Sequence, residues 1–530
     1  MKVLLVAINS QFVHSSSVPW LLKTACRNVD GLFDVAEFTI NDRSDRITSE
    51  IILRRPDVLA ISCYIWNFEL VHKIVPDIKK VLPQLKVILG GPEVEYSEKP
   101  WYCDEVLKGD GETSLVKYFG GEPTCSDPFL EDEELQLIVA DEICKAGKGK
   151  IVYLETVRGC PFKCSYCLAP QTGKVRKLNI DLVKKIIDIY MNSEVRQVKF
   201  VDRTFNADKS RAYDILVYIF ETYVQAKVQG NNPPENWHFE VAADLFDERM
   251  FSLVEQFPEG LVQFEVGVQS LNEKVLADSA RKTDVAMVLK NIARLVASNK
   301  CMIHADLIAG LPGEDFKSFA TGFDLLHRTS PHQLQLGFLK VLKGSTLEAS
   351  AKELGLVWSE NAPFQVLQTR EMSWDELRHL TLIEEVLERC WNNGRFVDTV
   401  KLLAKGNYFE FYETLARGIE HLLAQPMSAP AMAVELFQLA LDLGVNHELA
   451  KRTIKIDLLA SCFPVKIPDI LMDCRFSKDA YSKISRQAAE VFGQSRVHLE
   501  ALSEREVLVI NCDHKDNITG RFKYLIAQIV

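Results

Sequence analysis

Cys160-Pro161-Phe162-Lys163-Cys164-Ser165-Tyr166-Cys167 follows directly on the strand-like run Ile151–Val157, and that strand-then-loop pairing decides how the chain is to be read. The loop sets three thiols close together and supplies no fourth. Four cysteines close a zinc site or an iron–sulfur cluster completely. Three can hold a 4Fe–4S cube by three of its irons, leaving the fourth iron open to a substrate or cofactor. A structural zinc site needs another ligand, and no second Cys-x2-Cys pair or paired-histidine motif occurs in the chain. Three inert cysteines beside Gly159 and Pro161 is the other bland reading, and it leaves their spacing unexplained.

Outward from this loop, strand and helix patterns alternate six times. Strand-like runs at 151–157, 197–201, 238–241, 262–267, 302–308 and 333–338 are separated by helical patterns at 181–191, 209–228, 248–257, 284–298 and 314–328. Six βα units predict a partial TIM-like barrel over 151–348, with its chemistry at the C-terminal strand ends. The cysteine loop falls at such an end. Residues 1–125 show a separate alternation, with strands at 2–8, 33–40, 58–62, 87–89 and 105–107 and helices such as 18–28 and 67–81. This predicts an α/β doubly wound, Rossmann-like parallel sheet, whose ligands sit beyond the carboxyl ends of its strands. The acidic run Glu131–Glu134 and the polar stretch Lys145–Lys150 read as a connector over 126–150. Residues 349–530 are mainly helical, at 374–390, 398–403, 409–423 and 431–443, with a late strand at 506–511 and no motif carrying a mechanism.

A chain of 530 residues, 47% hydrophobic and 25% charged, is a multidomain globular protein by composition. No apolar run approaches the ~20 residues that a membrane-spanning helix needs. The apolar N-terminus runs into Ser10 and Gln11 without a small-residue cleavage pattern, so it reads as a buried strand and not a signal peptide. Thirteen cysteines are then expected in a reducing cytoplasm, serving metals or cores. A net charge of −11 disfavours nucleic acid as a partner, since a binder needs a basic face against phosphates.

The C-x3-C-x2-C loop, with Arg158-Gly159 before it and Tyr166 ahead of the last cysteine, resembles the radical S-adenosylmethionine (AdoMet) superfamily. The resemblance implies that Cys160, Cys164 and Cys167 hold the cluster and that AdoMet chelates the open iron. One electron then splits AdoMet into methionine and a 5′-deoxyadenosyl radical. Phe200-Val201-Asp202-Arg203 ends the second barrel strand and is similar to the family's segment there, which implies Asp202 as an acceptor for the AdoMet ammonium; capping of the next helix, or pairing with Arg203, is the structural alternative. Glu240 lies on the third strand as a further cofactor-binding candidate, with a plain ion pair as its alternative. Related sequences carry an arginine two places later for the AdoMet carboxylate, where Ala242 stands here. Gly267-Val268-Gln269-Ser270 resembles a segment of oxygen-independent coproporphyrinogen oxidases, implying that Gln269 and Ser270 bind ribose or carboxylate; an N-cap at Ser270 is the alternative. Asp306 to Glu314, with Gly310 and Gly313, resembles the adenine-binding segment.

The N-terminal domain looks like the cobalamin-binding domain often fused to such barrels. Ser62 ends its third strand and Gly90-Gly91 its fourth, matching that family's cobalamin-contacting serine and double glycine. Leucine often follows the serine two places on, where this chain has Tyr64. The Asp-x-His-x-x-Gly motif that supplies a cobalt-binding histidine is missing; Phe12 and Ser17 occupy the Asp and Gly places around His14. Cobalamin is therefore expected without a protein histidine on cobalt. The resemblance implies a cobalamin-dependent radical AdoMet enzyme, read here as a methyltransferase at an unactivated carbon of a small molecule. Its reductant would be an external donor such as flavodoxin or ferredoxin. A tRNA methylthiotransferase-like enzyme, with a second cluster on Cys26, Cys63, Cys103 or Cys125, is the alternative enzyme reading. A non-catalytic iron–sulfur or cobalamin sensor is the reading from another class.

Overall fold

Polar and apolar residues alternate along the barrel strands, and the fold spends the two sets on opposite faces of one sheet. The computed structural model describes residues 1–472, 478–493 and 495–528. Its larger sheet has six parallel strands in chain order: Ile151–Leu154, Gln197–Phe200, Asn236–Val241, Val262–Gln269, Cys301–Ala309 and Gln333–Phe338. One face carries Val198, Trp237, Phe239, Phe264 and Ile303, each 0% exposed, against the helices Ile180–Met191, Lys209–Val228, Val285–Ser298 and Phe316–His327. The other carries Lys199, His238, Glu240, Glu265, His304 and Asp306, which register side by side across the middle strands. The sheet does not close, with Ile151–Leu154 and Gln333–Phe338 at its two ends, and is the expected partial barrel.

The N-terminal sheet is wholly parallel in the order second, first, third, fourth, fifth, from strands Lys2–Asn9, Leu32–Thr39, Val58–Ser62, Lys86–Gly90 and Glu105–Leu107. Separate apolar clusters on its two faces make it a doubly wound layer.

The stretch expected as a connector is a built element. Helices Pro128–Glu131 and Glu133–Ala146 occupy it, and Leu135, Val139 and Ile143 join the barrel's core. Its acidic run is a helix start: Asp132 accepts from Leu135 N at 2.9 Å, and Glu133 and Glu134 lie where the helix dipole favours negative charge. The C-terminal region is mainly helical, but two of its helices, His447–Cys462 and Lys478–Phe492, and two of its three final strands had no legible pattern. In His447–Cys462 the cause is plain. Lys455 and Asp457 are both 0% exposed and interrupt the apolar stripe, Lys455 donating to Ala501 O at 2.6 Å and Asp457 pairing with Arg521 at 2.7 Å.

Barrel and C-terminal region share one continuous core, so the boundary drawn at 348 is not a break in packing. His327, 0% exposed, marks the seam: its ring stacks on Tyr408 at 3.9 Å, and Nε2 lies 3.1 Å from the Tyr412 hydroxyl. Burial holds this imidazole down at about 3 against an ordinary 6.5. Its contribution to stability is full above 6.5 and is lost as pH falls toward 3, by about 1.4 kcal/mol per pH unit. Thermal melts between pH 7 and pH 5 should show this loss, and His327→Gln should flatten it. Equal slopes in the two proteins would contradict the assignment.

Candidate active site

The cysteine loop is held from both ends before any cofactor is considered. Gly159 enters it at φ +94°, Ser165 N donates to Ser279 O at 3.0 Å, and Leu347 N donates to Ser165 O at 2.8 Å. Cys164 is buried, while Cys160 and Cys167 are half-buried. Burial pushes the Cys167 thiol up, opposed by the Ala169 N–H, which points at its sulfur from 3.4 Å. The three sulfurs are not gathered as ligands of one ion would be. Among the described residues, the one group of His, Cys, Asp and Glu with ligand atoms within 4.8 Å of one another lies elsewhere. That spread suits a cube, in which each sulfur takes a different iron, better than zinc.

The cysteines line a cavity of about 320 Å³ at the C-terminal strand ends. Tyr166, Arg203, Glu240, Gln269 and Arg281 share its wall with them. Arg281 was not legible as a site residue. Its Nη1 lies 3.8 Å from Cys164 Sγ, and Nη2 donates to Gly267 O. No local motif surrounds it; only folding brings it to the thiols. Together with Arg203 it offers what Ala242 cannot, a guanidinium for a carboxylate. Glu240 faces Arg203 at 3.7 Å, and burial pushes its carboxyl up to about 7 despite that partner. Gln269 enters the cavity because the fourth strand bulges between Gly267 and Gln269, leaving Gln269 at φ +73°.

Three expected site residues lie elsewhere. Asp202 is 1% exposed and absent from the cavity wall. Its carboxylate neither caps a helix nor meets Arg203; it accepts from Thr156 N at 2.7 Å, Val157 N at 2.9 Å and Thr156 Oγ1 at 2.5 Å. It thereby fastens the second strand to the chain entering the cysteine loop. Ser270 is also buried, donating to Glu314 Oε1 at 2.6 Å, and Asn272 caps the next helix. Gly310, at φ +86°, turns toward Leu377, Val366 and Thr369 of the C-terminal region. A strand end supplies more backbone positions than the cavity can use, and side-chain direction selects among them.

A second cavity, of about 330 Å³, opens at the carboxyl ends of the N-terminal sheet. Ser62, Tyr64, Gly90 and Gly91 line it, as do Asp110, Glu112, Glu155 and Arg158. At Gly91 a Cβ would stand 2.6 Å from Cys63 O, and φ is +100°. Only glycine fits against the Cys63 backbone in that conformation. Gly91→Ala is expected to force the third and fourth strand ends apart and to reduce any ligand uptake by this domain at least tenfold, measured by equilibrium dialysis against cobalamin. Unchanged uptake would contradict this. His14 is absent from this wall and lies 2.8 Å from the Tyr153 hydroxyl.

Arg158 ties the N-terminal domain to the barrel. It bonds Glu112 at 2.6 Å, Asp110 at 3.1 Å and Glu155 at 2.8 Å, and stacks over Phe129 at 4.3 Å. Arg176 adds Asp110 at 2.6 Å and Asp127 at 3.1 Å. The N-terminal cysteines are not placed for a shared cluster: Cys63 and Cys103 lie in the core on one face of their sheet, and Cys26 in the core on the other.

Residues 4–118 match the B12 binding domain, residues 154–326 the radical SAM superfamily, and residues 352–518 a protein family of unknown function, DUF4080. The cobalamin-dependent radical SAM methyltransferase TokK of Streptomyces tokunonensis is 23% identical over 339 residues, covering 56% of this chain and 49% of its own. The ribosomal protein uS12 methylthiotransferase RimO of Chlamydia caviae is 24% identical over 262 residues, covering 46% and 54%. The chain thus spans about half the length of these curated relatives. Among solved structures, the cobalamin-dependent S-adenosylmethionine radical enzyme OxsB superposes with a TM-score of 0.57 at 12% identity, over 86% of this chain and 78% of that one. The radical S-adenosylmethionine methyltransferase TsrM of Kitasatospora setae gives 0.53 at 14%, over 68% and 78%. These two likenesses establish the fold. The chain carries a B12 binding domain, a radical SAM domain and a DUF4080 domain, in that order.

Proposed function

We propose, for a chain that carries a B12 binding domain ahead of a radical SAM domain, that it is a cobalamin-dependent radical AdoMet methyltransferase acting at an unactivated carbon of a small molecule. The observation that carries the reading is the adjacency of the two cavities. Arg158 lines one and Cys160, two residues on, lines the other, so a single short segment serves both.

The residues fit the groups. Cys160, Cys164 and Cys167 would hold the cluster, Arg281, Arg203, Glu240 and Gln269 would bind AdoMet beside Tyr166, and Ser62, Gly90 and Gly91 would admit cobalamin. When bound, the cluster and AdoMet supply one-electron radical chemistry, and cobalamin supplies a methyl carrier. The chain's own part is positional. Arg281 and Arg203 orient a carboxylate near the thiols, Glu240 accepts from an ammonium, and the Arg158 clasp keeps the domains at fixed separation so that water is excluded between them. The electron would come from an external donor of the flavodoxin or ferredoxin type.

The test is anaerobic reconstitution followed by iron and cobalamin counting, reduction, and assay of AdoMet products. About four irons and about one cobalamin per chain, with 5′-deoxyadenosine and S-adenosylhomocysteine formed, are expected. About eight irons without cobalamin would favour a methylthiotransferase instead. No 5′-deoxyadenosine from a fully loaded, reduced sample would leave a sensor. Arg281→Lys should weaken AdoMet binding about tenfold while keeping the cluster spectrum, because a point charge replaces a fork.

A further inference from the structure

On the floor of the cysteine-lined cavity, three neighbouring strands bring four titratable side chains together. His238 comes from the third strand, Glu265 from the fourth, and His304 and Asp306 from the fifth. Glu265 Oε2 lies 3.0 Å from His238 Nε2 and 4.0 Å from His304 Nδ1, and His304 Nε2 lies 3.1 Å from Asp306 Oδ1. The two shorter separations are within hydrogen-bond range, yet neither contact meets hydrogen-bond angles. Both ring nitrogens of His238, Nε2 of His304 and Oδ1 of Asp306 lack a partner in hydrogen-bond geometry among the described residues. His238 is only 3% exposed and His304 8%, so water does not readily make up the loss.

Polar groups this close and this buried, with donors and acceptors left without a well-aligned bond, could serve as ligands around a shared centre. Ligand atoms of Glu265, His304 and Asp306 all fall within 4.8 Å of one another, so small side-chain shifts would bring all three onto one ion with bonds of ~2.0–2.2 Å. One imidazole with two carboxylates suits a divalent first-row cation and leaves open coordination positions. Glu265 and Asp306 line the cavity itself, so those positions would face its contents.

We propose that Glu265, His304 and Asp306 form a divalent-cation site of the Mn2+ or Zn2+ class on the cavity floor, beside His238, whose Nε2 lies 3.0 Å from Glu265. The open positions take an oxygen-bearing group of the substrate, such as a carboxylate, phosphate or hydroxyl. The site goes beyond the radical AdoMet reading and does not depend on it.

The test therefore removes the cluster. The full chain carrying Cys160→Ala, Cys164→Ala and Cys167→Ala is stripped with chelator and titrated with Mn2+, followed by loss of the free-ion EPR signal, and separately with Zn2+ by calorimetry. About one ion per chain is expected for at least one metal. Glu265→Gln, Asp306→Asn or His304→Gln in that background should weaken binding tenfold or more, and His238→Gln less, with circular dichroism unchanged. The same titration on wild-type chain, purified in air and stripped of iron, guards against misfolding of the cysteine variant. Absence of stoichiometric binding of both metals, or equal binding in folded Glu265→Gln and Asp306→Asn, would overturn the site. Loss of AdoMet cleavage bears only on the radical reading.

Discussion

Cys164→Ala is expected to leave the protein with almost none of the iron that wild-type chain takes up on reconstitution, and with no 5′-deoxyadenosine formation. Cys164 is the most buried of the three cysteines, at 7% exposed, and the 3.2 Å bond from Cys167 N to its carbonyl shapes the loop around it. With two thiols left, a second iron of the cube loses its protein ligand while its charge stays in a partly buried site. Among the described residues the charged group in hydrogen-bond range of Cys164 is Arg281, and a cation repels iron. Cobalamin uptake should survive, because Cys164 lies outside the second cavity's wall. Iron and sulfide assay, EPR of the reduced sample and dialysis against cobalamin check the three parts. A variant retaining about four irons per chain would sink the assignment of this loop.

Asp202→Ala is expected to have the largest effect on stability. The substitution orphans the buried N–H of Thr156, at about 1–3 kcal/mol, and the half-buried N–H of Val157, at less, out of a domain total of only ~5–15 kcal/mol. It also frees the segment that enters the cysteine loop, so cluster content should fall with stability. Asp202→Asn keeps an acceptor for both N–H groups and should recover most of the loss. Burial pushes the Asp202 carboxyl up to about 6 from 3.8, so its contribution is full below 3.8 and shrinks as pH rises through 6. Asp202→Asn should remove that slope. Denaturant melts at pH 4 and pH 7 measure both effects. If Asp202 bound AdoMet directly, the asparagine variant would melt normally at both pH values and lose AdoMet affinity, contrary to this expectation.

The loops that line the two cavities were legible because each combines a strand end with residues of narrow use. Gly90-Gly91 reads as a place for close approach, and at Gly91 what approaches is the Cys63 backbone, whose carbonyl oxygen would stand 2.6 Å from a Cβ. Arg281 was illegible because its role depends on distance to Cys164, 117 residues away in sequence. The polar floor left a fainter trace. His238, Glu240, Glu265, His304 and Asp306 alternate with Phe239, Phe264, Ile303 and Ala305, a period-two pattern usually read only for its apolar half.

What the amino-acid order determined unaided was local and periodic: which runs are strands, which loop carries the thiols, and where the backbone must lack a side chain. Those properties follow from neighbours along the chain, through φ restrictions and two- or 3.6-residue repeats. The tertiary structure decided which strand-end side chains face a cavity. It sent Asp202, Ser270 and Gly310 into packing, brought Arg281 to the thiols, and set Arg158 between two domains. Those choices rest on contacts between residues far apart in the chain, which no local repeat encodes.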